Sequence, residues 1–456
     1  MSTSGSSTVA ETLAAAIGGL LAENLPLAMR AMADNLILDV IGLCLAARGT
    51  DYVQAAGAGI DGEGSCTVIG HARTRDTAGA ALINGVAAHG EDFDDTFEGG
   101  PVHAGAVIVP AVLAAAERFG LDGRAALLGI GVGVETICRL SLVAPRLVHK
   151  AGFHPTSVFG TLAAAAGVGA AMKLEAGQLV DALGIAGSMA SGIIEYLADG
   201  SWTKRLHPGW AAQAGLRAAL LARQGFTGPR SVLEGTHGLF NGFAHNTAGD
   251  YERLTRGFGK DWISESLAFK PFACGTMTHP YIDCAIRLAA RGIAPETIQS
   301  IVCEVAEGTV HRLWEPLALK QAPPNAYAAK FSTPFCIAVA FITGDAGLAA
   351  FSEATVRDPR IRALAAKVSF VIDADNAYPA NYTGHIRAVL HDGRVIEERQ
   401  PHLRGGTHEK LSSAAIEAKF FANAAHGGWS AAQAAATRDL AGQLFDGPID
   451  LSILRG

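Results

Sequence analysis

Apolar residues recur at helical spacing through the first 250 residues, and this pattern predicts a succession of packed helices. The clearest is residues 28–47, where Met29, Ile37, Val40, Ile41 and Leu45 recur near one face. Further helices are predicted for residues 77–90, 107–119, 125–140, 157–172, 176–193 and 209–222. Because a glycine costs about 1 kcal/mol against alanine inside a helix, the many internal glycines predict closely packed helix backbones.

The pattern changes after about residue 265. Residues 298–305 and 368–372 alternate and are β-branched, which predicts strands. Residues 385–390 and 395–398 flank Asp392 and Gly393, and an Asp-Gly pair is typical of a tight hairpin turn. Residues 331–342 and 359–366 look helical, and so do residues 412–424 and 430–444 beyond the strands.

These patterns predict a mainly α protein with two domains. The first is a large all-helical domain, residues 8–265 and 402–456, and the second is a smaller inserted α+β domain, residues 266–401. Residues 1–7 are small and polar and are predicted to be a disordered N-terminus.

Composition narrows the class of protein. Hydrophobic residues make up 49% and charged residues only 17% of the chain, which predicts a large buried fraction. Apolar stretches such as residues 159–172 are shorter than the ~20 residues of a membrane span, so no membrane partner is expected. The net charge of −7 and the lack of a basic block argue against nucleic acid. Seven scattered cysteines and the absence of a signal-peptide pattern predict a cytoplasmic protein.

One acidic segment, from Glu91 to Glu98, concentrates five carboxylates directly after a predicted helix. The negative end of a helix dipole repels anions, so lysines, arginines, histidines or a metal must compensate these charges. A solvated acidic loop is the alternative, but the apolar run that follows His103 argues against it. We expect Asp94 and Asp95 to be structural, capping or pairing with the neighbouring helices.

Two histidines, His103 and His154, each stand just before a predicted helix. The positive end of the helix dipole favours the neutral imidazole, the form that a general base needs near pH 7. A histidine that only packs or caps is the alternative.

Basic side chains cluster at Lys204, Arg205 and His207, before another predicted helix. Cations beside helix N–H groups form a strong anion site, so a carboxylate substrate would fit. An exposed turn neutralised by Glu195 and Asp199 is the alternative. A last cluster, Lys270 to His279, lies at the junction of the two predicted domains, where ligand clefts often form; Cys274 in it is interpreted as a wall residue.

Seven segments, in this order, give the chain a resemblance to the MmgE/PrpD family. The family includes 2-methylcitrate dehydratase, cis-aconitate decarboxylase and iminodisuccinate epimerase. The matching pieces span about residues 8 to 440; they are Asp39–Gly42, Asp92–Thr96 with His103, Gly152–Thr156, Trp202–Gly209, Glu234–Phe240, Lys270–Phe272 with His279, and Lys330–Phe335.

The resemblance implies that the α+β domain is a lid, that the protein is a homodimer, and that the active site needs no cofactor and no metal. By motif, the residues implied as catalytic are Asp92, His103, His154, Lys204 and Lys270. The residues implied as substrate-binding are Thr96, Arg205, His207 and His279.

The resemblance also implies a common step, in which a proton moves at a carbon next to a carboxylate. Lys204 and Lys270 would hold the carboxylates, His103 and His154 would serve as acid and base in an order left open, and Asp92 would orient a histidine. Dehydration of a 2-methylcitrate-like hydroxy acid is favoured. Epimerisation of an iminodisuccinate-like amino dicarboxylate and decarboxylation of cis-aconitate are the alternatives within the family.

Two departures from the decarboxylase branch of the family lower the odds of decarboxylation. Gly275 stands where that branch has a histidine, and Phe335 stands near where it has a tyrosine. The spacing from Asp92 to His103 is also one residue longer than expected. Outside the family, a Mg²⁺-dependent helical lyase that uses Asp92, Asp94, Asp95 and Glu98 is one alternative, and a non-catalytic carboxylate-binding protein is another.

Overall fold

A computed structural model describes residues 7–456, and the fold is mainly α-helical with small sheets. Residues 1–7 were predicted to be a disordered N-terminus. Of these, only Ser7 belongs to the described residues. The chain forms two compact units: one comprises the chain up to Gly90, Asp94–Leu267 and Ser413–Gly456, and the other Glu91–Phe93 and Ala268–Ser412. The domain boundaries at 265/266 and 401/402, and the role of a lid, stay predictions.

The first unit is built almost entirely from helices. Its α-helices are Val9–Gly18, Leu27–Ala47, Asp51–Ala58, Thr77–His89, Gly105–Phe119, Gly123–Val143, Leu147–Lys150, Pro155–Ala171, Ala176–Met189, Tyr196–Asp199, Thr203–Arg223, Leu239–Ala244, Glu252–Thr255, Ser413–His426 and Ala431–Gln443. Its 3₁₀ turns are Ala22–Asn24, Ile263–Ser266 and Ser452–Leu454, and two-residue strands occupy Thr96–Phe97 and, at its end, Leu267–Ala268.

The helices predicted from periodicity are present, and two of them differ from their predicted bounds by four residues or more. The helix predicted for residues 176–193 ends at Met189. The helix predicted for residues 209–222 begins six residues earlier, at Thr203, with Pro208 inside it. Lys204, Arg205 and His207 therefore lie within the helix, and the prediction that they precede it was wrong.

Glycines bring two of these helices into close contact, as their frequency predicted. A Cβ atom on Gly85 would lie 2.6 Å from the Cα of Gly209, and one on Gly209 would lie 2.2 Å from the carbonyl oxygen of Leu82. Such distances leave room only for glycine. This contact packs helix Thr77–His89 against helix Thr203–Arg223, which carries Lys204 and His207.

The second unit is α+β. Its α-helices are His279–Ala290, Glu307–Leu313, Leu317–Gln321, Ala326–Ala329, Thr333–Thr343, Glu353–Val356 and Pro359–Ala365, and its 3₁₀ turns are Thr276–Thr278, Pro295–Thr297 and Leu348–Phe351. Its sheet has the strand order Val368–Ile372, Ile298–Val305, Gly384–Leu390 and Val395–Gln400.

The sheet of the second unit contains the four predicted strands and the predicted hairpin. Its first two strands are parallel and the other pairs are antiparallel. Gly393 has a φ of 84° in the predicted hairpin turn, which is the conformation that favours glycine there. Helix His279–Ala290 packs against the last two strands.

One helix, Gly123–Val143, is long and apolar enough to cross a membrane by length and composition alone. Its most apolar window is 94% buried inside the protein, and buried core helices of soluble proteins pass the same test. This helix was predicted for residues 125–140, and in the structure it extends beyond both ends of that range.

Candidate active site

The centre of the first unit holds a fully buried histidine–carboxylate pair. His89 is the last residue of helix Thr77–His89, and its Nδ1 lies 2.7 Å from Oδ2 of Asp94. Burial, opposed by the Asp94 carboxylate, lowers the pKa of His89 to about 4. His89 is therefore neutral at pH 7, and its Nδ1 carries the proton that it donates to Asp94.

His103 lies on the other side of the same carboxylate. Its Nδ1 is 2.8 Å from the backbone carbonyl of Asp95 and 3.4 Å from Oδ2 of Asp94. A carbonyl only accepts hydrogen bonds, so Nδ1 of His103 carries a hydrogen atom. In the neutral ring the other nitrogen, Nε2, is then the proton acceptor.

Asp94 is ionised in this environment. Burial opposes its ionisation, but the neighbouring His103 and His89 outweigh burial and hold the pKa of Asp94 well below its usual range. Asp94 was predicted to be structural, and Asp92 was predicted to orient a histidine. In the structure Asp94 is the carboxylate that contacts His89 and His103.

Asp95 has the capping role that was predicted for it. Its two carboxylate oxygens accept the backbone N–H groups of Ala104 and Gly105, both at 2.9 Å, where helix Gly105–Phe119 begins. Burial and the carboxylates of Asp94 and Asp39 raise its pKa to about 8, against these two hydrogen bonds. Asp95 thereby fixes the backbone that carries His103.

A second pair of histidines lies beside the first. His154 is the N-cap of helix Pro155–Ala171, as predicted, and its Nδ1 is 3.1 Å from Nδ1 of His207. The ring of His154 lies 5.9 Å from the ring of His89 and 6.4 Å from that of His103. Four histidines therefore line one buried region of the first unit; we call His89, His103, His154 and His207 the histidine cluster.

Three members of the histidine cluster, His89, His154 and His207, are held in the neutral form. Burial, followed by the influence of His207, lowers the pKa of His154 well below its usual range. Burial and the charge of Lys204 lower the pKa of His207 to about 4. Lys204 also lowers the pKa of His89 and His154, so its ammonium group is near three of the four rings.

In the second unit, two buried lysines hold the short segment 91–93. Nζ of Lys270 donates to the carbonyl of Asp92 at 2.9 Å and to its Oδ1 at 3.0 Å. Nζ of Lys330 lies 2.8 Å from Oε2 of Glu91. Asp92 has a φ of 58°, in the left-handed region that aspartate tolerates better than most residues. These cations are the compensation that the sequence analysis required for the acidic segment.

The remaining predicted residues have other surroundings. Thr96 is buried in the two-residue strand Thr96–Phe97. Arg205 donates from Nε to the carbonyl of Gly90 at 2.9 Å, and its guanidinium lies 4.5 Å from the centre of the Tyr52 ring. In the second unit, His279 is fully buried, with Nε2 3.2 Å from the carbonyl of Cys274, which are the contacts of a core histidine.

The geometry also permits a test for metal binding. His89, Asp94 and His103 each place a possible ligand atom within 4.8 Å of the others. Nδ1 of His103 carries a hydrogen atom, however, and a protonated nitrogen cannot bind a metal. Nδ1 of His89 is committed to Asp94 in the same way. Both Nδ1 atoms are therefore engaged in hydrogen bonds, and only the Nε2 atoms of these two rings are open to a metal.

The carboxylates of the acidic segment do not contact a common partner. Asp92 contacts Lys270, Asp94 contacts two histidines, and Asp95 caps a helix. Such separate use does not fit an Asp-rich Mg²⁺ site, which needs its carboxylates to converge.

Sequence reasoning missed His89, Asp94 and Lys330 as site residues. His89 ends an otherwise apolar helix, five residues before Asp94, and that isolated polar position is the signal that could have identified it. Lys330 was quoted only as part of a motif. Its near-complete burial depends on contacts distant in sequence, which periodicity does not reveal.

A mainly helical protein with three buried neutral histidines, an ionised carboxylate and a lysine whose charge acts on these rings is equipped for acid–base chemistry on an anionic substrate. Comparison with known proteins agrees with this class. Residues 11–251 match the MmgE/PrpD N-terminal domain, and residues 272–441 match the MmgE/PrpD C-terminal domain.

Individual relatives cover most of the chain. The cis-aconitate decarboxylase of Mus musculus is 30% identical over 441 residues, 91% of this chain and 86% of the mouse protein. That of Homo sapiens is 31% identical over 76% of this chain and 72% of the human protein. That of Aspergillus terreus strain NIH 2624 is 27% identical over 76% of this chain and 74% of its own length. The chain belongs to the MmgE/PrpD family, and these relatives indicate a lyase-type enzyme.

Proposed function

We propose that the protein is a cofactor-independent lyase that moves a proton at the carbon next to a carboxylate of a small di- or tricarboxylate. Dehydration of a 2-methylcitrate-like hydroxy acid is the favoured reaction. The observation that carries the proposal is the set of three buried, neutral rings in the histidine cluster, His89, His154 and His207, whose pKa values the charge of Lys204 also lowers.

The chemistry needs a base that is unprotonated at neutral pH and a cation for the developing negative charge. Burial keeps His154 neutral, so it can accept a proton without first losing one. A carbon acid next to a carboxylate develops a dianion, which a nearby ammonium group stabilises most effectively in a buried site. Lys204 is the cation that we assign to this role, because its charge acts on three rings of the histidine cluster.

His103 and His154 are each engaged through Nδ1, with different partners. His103 is fixed through Nδ1, so Nε2 is its reactive atom. His154 is fixed through Nδ1 against His207 and also offers Nε2. We assign one as the base at carbon and the other as the acid for a leaving hydroxyl. Through their motifs, Asp92 and Lys270 belong to the proposal as catalytic residues and Thr96 as a substrate-binding residue.

Decarboxylation of cis-aconitate is the second candidate, because the relatives described above carry that name. Two residues of the second unit argue against decarboxylation. Gly275 has no side chain to donate a proton, and its backbone N–H donates to the carbonyl of Lys330 at 2.9 Å. Phe335 is fully buried in helix Thr333–Thr343 and is not titratable.

We also propose a homodimer and a cytoplasmic location. Exposed apolar side chains, unusual for a solvent-facing surface, are concentrated between residues 193 and 210: Ile193, Leu197, Trp202, Leu206 and Trp210. A homodimer would give twice the chain mass in light scattering.

The reaction can be decided by product analysis. The purified protein is incubated separately with 2-methylcitrate, cis-aconitate and an iminodisuccinate-like amino dicarboxylate, and products are followed by nuclear magnetic resonance. Loss of water from 2-methylcitrate supports the favoured reaction, whereas itaconate with released CO₂ supports the second candidate. Absence of turnover and of binding with all three substrates would contradict the proposal.

A further inference from the structure

The contact between His154 and His207 restricts the tautomers of both rings. Their Nδ1 atoms are 3.1 Å apart, and both rings are neutral at pH 7 because burial lowers both pKa values. A hydrogen bond between two nitrogens needs one N–H donor and one bare acceptor. One ring therefore carries its proton on Nδ1 and the other on Nε2.

His207 also lines a cavity of the first unit. This cavity, of about 610 Å³, is lined by His207, by the apolar side chains Ile193, Leu206 and Trp210, and by polar side chains that include Glu195 and Asp199. His154 is not among the lining residues. His207 thus lies between His154 and a space large enough for many water molecules.

We propose that His207 is a relay residue, through which His154 exchanges protons with water in this cavity. The inference rests on the proposed function. His207 acts through His154 and does not need to touch the substrate.

The relay conserves protons and charge on the protein. In the starting state His154 carries its proton on Nδ1 and His207 on Nε2. The substrate C–H bond breaks, its electron pair stays on carbon, and the proton bonds to Nε2 of His154. The Nδ1 proton of His154 moves to Nδ1 of His207, and the Nε2 proton of His207 passes to water. Both rings end neutral with exchanged tautomers, and the reverse sequence returns a proton to the leaving group or to carbon.

The relay has a consequence for isotopes. A proton removed from carbon reaches solvent within the turnover, so deuterium from D₂O appears in recovered substrate and in any product that is protonated at carbon. A lone histidine would retain the abstracted proton and return part of it.

The direct test replaces His207→Asn. The asparagine amide reaches roughly the position of Nδ1 and can keep a hydrogen bond to His154, but it does not pass protons. We expect turnover to fall by about 10²-fold or more, deuterium exchange to fall with it, and KM to stay within about threefold. His237→Asn, an exposed histidine of the same unit, is the matched control and should behave as the parent protein.

Two further measurements test the relay independently of His207→Asn. In His207→Ala the adjoining cavity should admit imidazole, and added imidazole should restore at least about tenfold of the lost turnover. If neither variant folds, the unmodified enzyme decides: in H₂O/D₂O mixtures a relay gives a curved dependence of rate on deuterium fraction, whereas one moving proton gives a straight line.

The outcomes separate the relay from the proposed function. Unchanged turnover and exchange in His207→Asn, a folded His207→Ala that imidazole does not rescue, or a linear dependence in the unmodified enzyme would each overturn the relay while the lyase stands. Absence of exchange and turnover in the unmodified enzyme with every carboxylate would overturn both.

Discussion

Oδ2 of Asp94 lies 2.7 Å from Nδ1 of His89, and both side chains are fully buried. The same oxygen is 3.4 Å from Nδ1 of His103. A buried carboxylate that contacts two imidazoles fixes the tautomers of both and favours the protonated ring that forms when one of them accepts a proton. Asp94 is therefore expected to position His103.

Replacing Asp94→Asn tests this role. Asparagine keeps the size of the side chain but removes the negative charge, so His103 loses the group that stabilises its protonated form. We expect kcat to fall by about 10²-fold or more with KM within about threefold. Asp392→Asn in the exposed hairpin turn is the control. An Asp94→Asn enzyme with nearly full kcat would show that the contact is only structural.

The pH dependence of stability follows from His89. Folding lowers its pKa from 6.5 to about 4. Between these values the unfolded chain binds the proton more tightly, so stability is present above about pH 6.5 and is lost as the pH falls toward 4. His89→Asn, which can still donate to Asp94 but does not titrate, should reduce this loss by roughly 3 kcal/mol in urea unfolding at a series of pH values.

The same measurement has an internal check. His237→Asn removes an exposed histidine and should leave the pH dependence of the unfolding free energy unchanged. If His89→Asn and the parent protein lose equal stability between pH 7 and 4.5, His89 is not held neutral by burial.

The ion pair of Lys270 and Asp92 is a second source of stability, since both side chains are buried and 3.0 Å apart. Lys270→Met leaves a buried carboxylate without this cation and should cost about 3–5 kcal/mol in unfolding free energy. Adding Asp92→Asn should recover most of that loss. The exposed pair of Arg394 and Asp392 is the comparison, and Arg394→Met should cost under about 1 kcal/mol. A full loss that persists in the double variant would contradict charge burial as the cause.

Removal of divalent metal distinguishes a metal-free site at His89, Asp94 and His103 from the metal alternatives. Because Nδ1 of His103 and Nδ1 of His89 both carry hydrogen atoms in the described contacts, we expect dialysis against EDTA to leave turnover unchanged within about twofold. A loss of turnover that Mg²⁺ or Zn²⁺ restores would favour a metal site at His89, Asp94 and His103.

Much of the fold could be predicted from the sequence because local patterns determine it. The alternation of residues 298–305 and the Asp392-Gly393 turn predicted the sheet, and the helix predicted for residues 157–172 begins two residues earlier, at Pro155. The helix predicted for residues 209–222 begins instead at Thr203 and continues through Pro208.

The site was predicted less well, since it depends on directions that sequence does not encode. Asp92 and Asp94 are two residues apart, yet the left-handed backbone at Asp92 gives them different partners. His89 and His207 join the histidine cluster through helix packing at Gly85 and Gly209, a contact between segments 124 residues apart in sequence.

The most direct test of the account is the exchange of the carbon-bound proton next to a carboxylate in D₂O, measured for the unmodified protein and for His154→Asn. The account predicts deuterium incorporation by the unmodified protein and a loss of at least about 10²-fold in the variant, with its fold and ligand affinity retained. Exchange at the same rate in both proteins, or none in the unmodified protein with any di- or tricarboxylate, would contradict it.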